Sequence, residues 1–332
     1  MRILPAVKIL ARRESPYLPL LLPTLRDIDS ARRELRWIAE HFHDRAADGL
    51  AVETNSQQKI KLKSSLYRKI WKACFLRGYK GVPLQYILGS QPFGDSLDII
   101  CRPGVLIPRW ETEEWGVKIA RGIRQYHPFF NAEENLSSQI IFNILDLCTG
   151  TGCIALLFAE QLKTNKNVLI TGIDISQKAF TVARDNRKAN DHVLGTNLSV
   201  LFKVGDIFTR DLSSMSNIDI IVSNPPYVSE ENYYSWTHTE RSVRNYEPRL
   251  ALIGGVEFYK RIFEIATTTN AKAVVCEISD GQQYRDILDA NCVDSSLWCS
   301  GSMYDEAGVV RTIVSWRRDA EDEWGWLQNL IS

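Results

Sequence analysis

The sequence lacks any apolar run that approaches the roughly 20 residues needed to cross a bilayer. It contains no internal repeat and no low-complexity segment. Its seven cysteines are odd in number and scattered, and none forms a Cys-x-x-Cys pair. This pattern favours free thiols in a reducing compartment over a disulfide scaffold, and it argues against a zinc site. We therefore expect no membrane association and no bound metal.

What is present is an ordinary globular composition with unevenly spread charge. The chain has 332 residues, 45% apolar and 24% charged, which is enough for two domains or for one large domain with an accessory. Net charge is zero, but residues 1–80 contain 17 Lys and Arg against 8 Asp and Glu and carry +9, so the remainder carries −9. The basic segment is either a solvated helical face or a surface for an anionic partner, such as a ribosome-associated protein or RNA.

Residues 1–80 predict a small helical domain, because apolar residues such as Leu35, Ile38 and Phe42 recur at helical spacing. The first 13 residues hold four basic side chains and no acidic one, with apolar residues between them. This pattern resembles a mitochondrial presequence, and a simple basic amino terminus is the alternative. Residues 81–110, rich in Gly and Pro, predict a β-hairpin-like connector.

From residue 140 onward, strand-like and helix-like segments alternate. "IIFNILDL" precedes "CIALLFAEQLK", "VLITGID" precedes a helical pattern, and the alternation continues to the β-branched segment "GVVRTIVSW". A helix from Glu111 to about Arg124 and a polar loop to about Gln139 come before it. Such alternation is typical of a parallel sheet covered on both faces, so we predict a doubly wound α/β domain of six or seven strands over residues 111–318. An acidic and aromatic tail, 319–332, follows.

The first predicted strand ends in a glycine-rich loop, "DLCTGTGCIA", at residues 146–155. Gly150 and Gly152 allow a tight turn and close approach of a ligand to the backbone, next to the unpaired amides of a helix start. The spacing Gly150-x-Gly152-x-x-Ala155 also fits the dinucleotide fingerprint. Taken alone, the loop therefore does not separate NAD from S-adenosylmethionine.

Two acidic residues follow the next two strands. Asp174 ends "VLITGID", where a carboxylate can accept both hydroxyls of a ribose in either cofactor class. Asp206, in "VGDIF", suits the exocyclic amine of an adenine ring, and Ile207 and Phe208 could bracket that ring with apolar surface. Ligands of such sheets lie beyond the carboxyl ends of the strands, where these residues occur.

The fourth strand of the alternating region ends in Asn224-Pro225-Pro226-Tyr227, for which dinucleotide chemistry has no use. A planar amino group on an sp² carbon is a poor nucleophile, because its lone pair is delocalised. The Asn224 side-chain oxygen and the Pro225 carbonyl, stiffened by Pro226, could hold its two hydrogens and aim the nitrogen at a methyl sulfonium. Tyr227 offers a flat face for the planar group. The motif therefore predicts transfer of a methyl group to an amide or an aromatic amine.

With these segments together, the chain resembles the HemK/PrmC family of protein-glutamine N5-methyltransferases over residues 81–317. The resemblance is carried by "PLQYILG" (83–89), "LIPRWETE" (106–113), the glycine loop, "NPPY", "YEPRLAL" (246–252), the Gly254-Gly255 pair and "EISDGQQ" (277–283). It implies a seven-stranded, Rossmann-like S-adenosylmethionine-dependent methyltransferase domain with a small N-terminal helical domain for substrate recognition. It further implies methylation of the Gly-Gly-Gln glutamine of a peptide-chain release factor.

The resemblance also implies roles for individual residues. The catalytic residues would be Asn224, Pro225, Pro226 and Tyr227. The cofactor-binding residues would be Cys148, Thr149, Gly150, Thr151, Gly152, Asp174, Asp206, Ile207 and Asn224. Three positions depart from the family pattern: Cys148 and Trp110 replace a glycine and a proline, and Ile207 replaces a Trp or Leu. The cysteine is similar to mitochondrial eukaryotic members, which together with the amino terminus predicts a mitochondrial matrix enzyme.

Three other functions compete with this interpretation. An N6-adenine methyltransferase would use the same motif on a flipped DNA or RNA base, although the catalytic part of the chain is acidic rather than basic. A non-catalytic interaction module would have no need of Gly150, Gly152, Asp174 and Asn224 together. A nicotinamide oxidoreductase is favoured only by the glycine loop. We therefore expect a release factor as partner and no stable nucleic-acid complex.

Overall fold

The structure, a computed structural model, describes residues 3–48, 56–131, 141–163, 167–194, 198–235 and 238–331. The first two residues of the predicted presequence and most of the predicted polar loop before Gln139 lie outside these ranges. In chain order the α-helices are α1 (Pro5–Glu14), α2 (Leu18–Leu25), α3 (Ile28–Asp48), α4 (Ser56–Phe75), α5 (Leu84–Leu88), α6 (Trp110–Tyr126), α7 (Pro128–Asn131), α8 (Cys153–Gln161), α9 (Gln177–Ala189), α10 (Glu230–Tyr234), α11 (Arg241–Tyr246), α12 (Val256–Thr268), α13 (Gly281–Asp289) and α14 (Glu321–Trp324). The strands are β1 (Ser90–Phe93), β2 (Leu97–Ile100), β3 (Phe142–Leu147), β4 (Val168–Asp174), β5 (Leu198–Val204), β6 (Ile220–Ser223), β7 (Ala273–Glu277), β8 (Trp298–Tyr304) and β9 (Val310–Arg317).

The chain forms two compact units, of which the first comprises residues up to Gly89 together with Glu240–Tyr246. Its core is built by helices α1 to α4, with Leu21, Leu22, Ile38 and Ile70 all buried. Of the apolar residues that recur at helical spacing, Ile38 is buried in this core, and Leu35 and Phe42 are partly buried against it. A π-helical turn, Leu76–Lys80, continues α4.

The predicted presequence coincides largely with α1, which starts at Pro5 and ends at Glu14. A proline suits the first helical position, because its missing N–H would be unpaired there in any case. Ala11 is fully buried in the core of the first unit. The presequence itself stays a prediction.

The second unit contains residues 90–239 and 247–332, and its centre is a seven-stranded sheet of order β5-β4-β3-β6-β7-β9-β8. Strands β3 to β7 are parallel to one another. The chain runs from β3 outward to β5 and then returns to β6 on the other side of β3. This reversal of strand order beside β3 opens a crevice at the carboxyl ends of the strands. The predicted seven-stranded α/β fold is confirmed.

Two apolar cores cover the two faces of this sheet. Neighbouring residues of one strand point to opposite faces, so Ile144 belongs to one core and Leu145 to the other. Helices α6 and α8 pack on the first face, where Trp115 and Phe158 are buried. Helix α12 packs on the second face through Ile262. Burial on both faces explains why the central strands β3, β6 and β7 are almost continuously apolar.

The last two strands differ from the parallel sheet that the sequence predicts. Strand β9 is antiparallel to both of its neighbours, β7 and β8. The connection from β8 to β9 is a short turn in which the Asp305 N–H donates to the Val309 carbonyl. A hairpin joins antiparallel strands, whereas a parallel pair needs a longer crossover. Strand β8, "WCSGSMY", carries no β-branched residue and was not predicted as a strand.

A hairpin of β1 and β2 lies within the predicted connector and is held by two buried asparagines, Asn186 of α9 and Asn190 directly after that helix. The Asn186 side chain accepts from the Ile100 N–H and donates to the Ile100 carbonyl. Asn190 makes the same pair of hydrogen bonds with the backbone of Asp98. The two amides thus bond the free edge of β2 as a neighbouring strand would, and they anchor the segment that follows it.

The acidic and aromatic tail docks on the second unit, with Trp324 and Leu327 buried in the first core. The Trp316 indole donates to Glu321 at 2.6 Å. None of the helices in the described ranges combines the length and the apolar character that a membrane span requires.

Candidate active site

A cavity of about 240 Å³ lies at the carboxyl ends of β3, β4, β5 and β6, within the second unit. The loops that follow these strands line it at residues 148–151, 173–176 and 205–208, and at Asn224 and Pro226. Residues 104–109, Thr112 and Phe258 are among the other residues of its walls. The four sequence motifs predicted as functional therefore meet at one cavity.

The glycine loop turns sharply from β3 into α8. Gly150 has φ +56°, and Cys148, in the position where the family usually has glycine, has φ +60°. A Cβ added at Gly150 would meet only the Cys148 carbonyl oxygen, at 3.9 Å, so the space beside the glycine is open. Gly152 differs, because a Cβ there would lie 2.7 Å from the Phe202 ring. Gly150 therefore leaves room for a ligand in the cavity, whereas Gly152 leaves room for the Phe202 side chain of β5.

The Asp174 carboxylate stands beside this loop at the end of β4. It accepts hydrogen bonds from the Gly150 N–H at 2.9 Å and from the Ser176 N–H at 2.8 Å, one on each oxygen. Burial raises the pKa of Asp174, and the two backbone hydrogen bonds oppose that rise. Each oxygen keeps a lone pair for a further donor. The carboxylate can therefore accept from two hydroxyl groups of a ligand.

The third lining loop follows β5. Asp206 accepts from the Phe208 N–H at 2.9 Å, which closes a local turn. Ile207 is buried, whereas Phe208 is exposed and contacts the Phe258 ring edge-on at a centroid distance of 5.0 Å. Carboxylate and apolar side chains thus line the same part of the cavity, an environment that suits an aromatic base with an exocyclic amine.

The Asn224 side chain begins a buried hydrogen-bond network that sequence reasoning did not predict. Its Nδ2 donates to the Thr112 hydroxyl at 3.0 Å, and that hydroxyl donates to Glu277 Oε2 at 2.5 Å. The Trp115 indole donates to the same oxygen at 2.9 Å, and the Tyr227 hydroxyl donates to Glu277 Oε1 at 2.9 Å. Burial raises the pKa of Glu277, while the three donors favour its ionised form. The network joins strands β6 and β7 to helix α6.

One wall of the cavity, residues 104–109, is held by a second missed residue, Glu247. Its buried carboxylate accepts from the Arg109 guanidinium at 2.7 Å and from the Ile107 N–H at 3.0 Å. Trp110, the residue that replaces the family's proline, is the first residue of α6. Both Thr112 and Glu247 lie in segments that carry the family resemblance, but no spacing in the sequence indicates which residues they contact.

The cavity brings together most of the predicted site residues. Its lining includes Cys148, Thr149, Gly150, Thr151, Asp174, Asp206, Ile207, Asn224 and Pro226. Gly152, Pro225 and Tyr227 do not line it. Tyr227 is half-buried and packs against the second core, with its hydroxyl turned to Glu277. Within the described ranges, no three His, Cys, Asp or Glu side chains cluster as metal ligands would.

Comparison with known proteins yields close similarities. A family model described as a methyltransferase domain matches residues 142–309. The chain is 34% identical to the mitochondrial MRF1 N(5)-glutamine methyltransferase of Saccharomyces cerevisiae, over 92% of this chain and 86% of that one. It is 34% identical to the probable MRF1 mitochondrial N(5)-glutamine methyltransferase of Schizosaccharomyces pombe, over 96% and 98% of the two chains. A release factor glutamine methyltransferase of Bacillus subtilis is 32% identical, over 69% and 77%.

Proposed function

The chain belongs to the family of release factor N(5)-glutamine methyltransferases, and we propose that its substrate is the glutamine of the Gly-Gly-Gln motif in a mitochondrial release factor. It is a mitochondrial enzyme that transfers a methyl group from S-adenosylmethionine to a side-chain amide nitrogen. The observation that best supports this proposal is the meeting of the Asn-Pro-Pro-Tyr motif and the glycine loop at one cavity.

The residues of the cavity fit the cofactor. When bound, S-adenosylmethionine supplies a methyl group activated by the positive charge of its sulfonium sulfur. We assign the ribose hydroxyls to Asp174, whose oxygens each keep a free lone pair beside Gly150. We assign the exocyclic amine of adenine to Asp206, and the faces of the ring to Ile207 and Phe208, which line the same region.

Asn224 and Pro225 would hold the acceptor amide. The Asn224 side-chain oxygen and the Pro225 carbonyl accept the two hydrogens of the glutamine –NH₂ group. As the nitrogen pyramidalises and gains positive charge, both hydrogen bonds strengthen, so their effect is concentrated in the transition state. Orientation of this kind contributes several kcal/mol, below the ceiling of about 7–11 kcal/mol for proximity effects. Tyr227 supports the motif through its bond to Glu277.

We further propose that residues 1–80 form a substrate-recognition domain. They carry a net charge of +9, which suits an acidic surface of a protein partner. The remaining residues carry −9, which disfavours a stable complex with nucleic acid at the catalytic cavity. The proposed partner is therefore the release factor and not RNA.

The test uses the full chain with methyl-labelled S-adenosylmethionine and a mitochondrial release factor. We expect label on the release factor and none on a variant in which the Gly-Gly-Gln glutamine is replaced by alanine. Mass spectrometry of the wild-type product should locate a single added methyl group on that glutamine. Equal labelling of the alanine variant, or labelling of added RNA or DNA alone, would refute the proposal.

A further inference from the structure

The orientation of the Asn224 side-chain amide is determined by its neighbours. An asparagine amide has an acceptor end and a donor end of nearly the same shape, so packing alone scarcely distinguishes the two. We propose that Thr112 and Glu277 are positioning residues, which hold the Asn224 nitrogen against Thr112 and so leave the Asn224 oxygen free to accept from the substrate. This inference rests on the proposed function and deepens it, because the orientation matters only if Asn224 must accept a hydrogen bond from the substrate.

The direction of each hydrogen bond in this network can be worked out from Glu277 and its donors, of which the Trp115 indole is the first. An indole N–H can only donate, so Glu277 Oε2, which it contacts at 2.9 Å, acts as an acceptor. The Thr112 hydroxyl contacts the same oxygen at 2.5 Å, and because an ionised carboxylate can only accept, it donates its only hydrogen there. The Tyr227 hydroxyl donates to Oε1 at 2.9 Å, so three donors surround the carboxylate and favour its ionised form. With Glu277 ionised, the direction of the hydrogen bond at Thr112 is fixed.

The role of Thr112 as donor to Glu277 determines which end of the Asn224 amide faces Thr112. With its hydrogen committed to Glu277, the Thr112 oxygen has only lone pairs left, so it requires a donor at 3.0 Å, and Asn224 Nδ2 is that donor. The opposite orientation would place two acceptors against each other in a buried site, since Thr112 is 2% and Glu277 1% exposed. The amide oxygen is therefore turned away from Thr112, and Asn224 lines the cavity.

The chemistry needs this orientation. The –NH₂ group of a glutamine substrate donates hydrogen bonds, and the Asn224 oxygen can accept one of them. In the opposite orientation, the Asn224 –NH₂ group would face the substrate –NH₂ group, and two donors cannot form a hydrogen bond. Loss of the Thr112 hydroxyl removes the preference for one orientation. Thr112 itself lines the cavity, but the acidic and glycine residues assigned to the cofactor stay unchanged. If the lost hydrogen bond stabilised the transition state, its loss should lower kcat about ten- to hundredfold, because the partner is buried and neutral.

The experiment compares four variants of the full chain in the release factor assay. Thr112→Val replaces the hydroxyl by a methyl of similar size, and we expect kcat to fall about ten- to hundredfold. The KM for the release factor and the Kd for S-adenosylmethionine should stay within about threefold of the wild-type values. Thr112→Ser retains the hydroxyl and should restore most of kcat. Glu277→Gln should also retain most of it, because its amide oxygen can still accept from Thr112 and Trp115.

Thr312→Val is the matched control for packing. Thr312 lies on β9 directly opposite Glu277, is fully buried, and its hydroxyl has no hydrogen-bond partner in the structure. Its replacement should leave kcat unchanged. The inference is overturned if Thr112→Val keeps the wild-type kcat, if Thr112→Ser is as impaired as Thr112→Val, or if Thr312→Val lowers kcat equally. A wild-type chain that fails to methylate the release factor would instead refute the proposed function, and the inference with it.

Discussion

Gly254 lies where a single added methyl group should displace the Asn-Pro-Pro-Tyr motif. It belongs to the Gly-Gly pair that precedes α12, and it approaches the Pro226 backbone closely. An alanine Cβ at this position would lie 2.3 Å from the Pro226 carbonyl oxygen and 2.7 Å from the Phe258 ring. The ring can swing aside, whereas the carbonyl belongs to a stiff Pro-Pro segment. In Gly254→Ala, the Pro225–Pro226 backbone should therefore move.

The size of the effect follows from this distance. To reach 3.0 Å from 2.3 Å, the two atoms must separate by about 0.7 Å. Misplacement of a catalytic group by about 1 Å can cost a hundredfold in rate, so we expect kcat to fall about ten- to hundredfold. Overpacking at this point should lower the free energy of unfolding by about 1–3 kcal/mol. Gly254 does not line the cavity but Phe258 does, so the Kd for S-adenosylmethionine should change less than kcat.

The assay measures kcat with the release factor, the Kd of the cofactor by calorimetry and the free energy of unfolding by denaturant titration. Gly281→Ala is the matched control, because a Cβ there meets nothing closer than Val310 at 3.6 Å. This control should keep the wild-type kcat. A Gly254→Ala variant with wild-type kcat would show that the position of the Pro225–Pro226 backbone does not limit the reaction. Equal loss in Gly281→Ala would show that the effect is not specific to the motif.

Three further changes test other parts of the site. Asn224→Ala should lower kcat at least a hundredfold and leave the Kd for S-adenosylmethionine within a few fold, and loss of cofactor affinity instead would mean that the motif is misassigned. Asp174→Ala should chiefly weaken cofactor binding, measured by calorimetry, and an unchanged Kd would remove Asp174 from the cofactor site. Burial raises the pKa of Asp146 from an ordinary value of 3.8 to about 7, so its contribution to stability is present below about pH 4 and is lost as pH rises through about 7. In Asp146→Asn, the free energy of unfolding should therefore fall less between pH 4 and pH 7 than in the wild type, and parallel pH curves for the two proteins would contradict the assigned cause.

The location of the site could be predicted from the sequence because its parts are local. A strand, a glycine turn and a helix start are patterns of about ten residues, and so is a strand that ends in Asn224-Pro225-Pro226-Tyr227. The carboxyl ends of parallel strands meet at one edge of the sheet, so Gly150, Asp174 and Asp206 could be assigned to one cavity without coordinates. The structure places all three in its lining.

The roles of two glycines could not be separated in this way. Gly150 and Gly152 are equivalent in the fingerprint, yet only Gly150 lines the cavity. Gly152 instead gives room to Phe202, a residue of β5 far away in the sequence. Strand β9 was predicted as a strand, but its antiparallel direction was not, since a β-branched pattern indicates a strand and not its direction.

The amino-acid sequence alone determined the alternation of strands and helices up to β7, the family and the residues at the strand ends, because these depend on patterns within single segments. Only the tertiary structure decided how Asn224 is oriented and how the cavity wall is held. Thr112 meets Glu277 across 165 residues, and Arg109 meets Glu247 across 138. A hydrogen bond depends on tenths of an ångström between elements, and no spacing along the chain encodes such a distance.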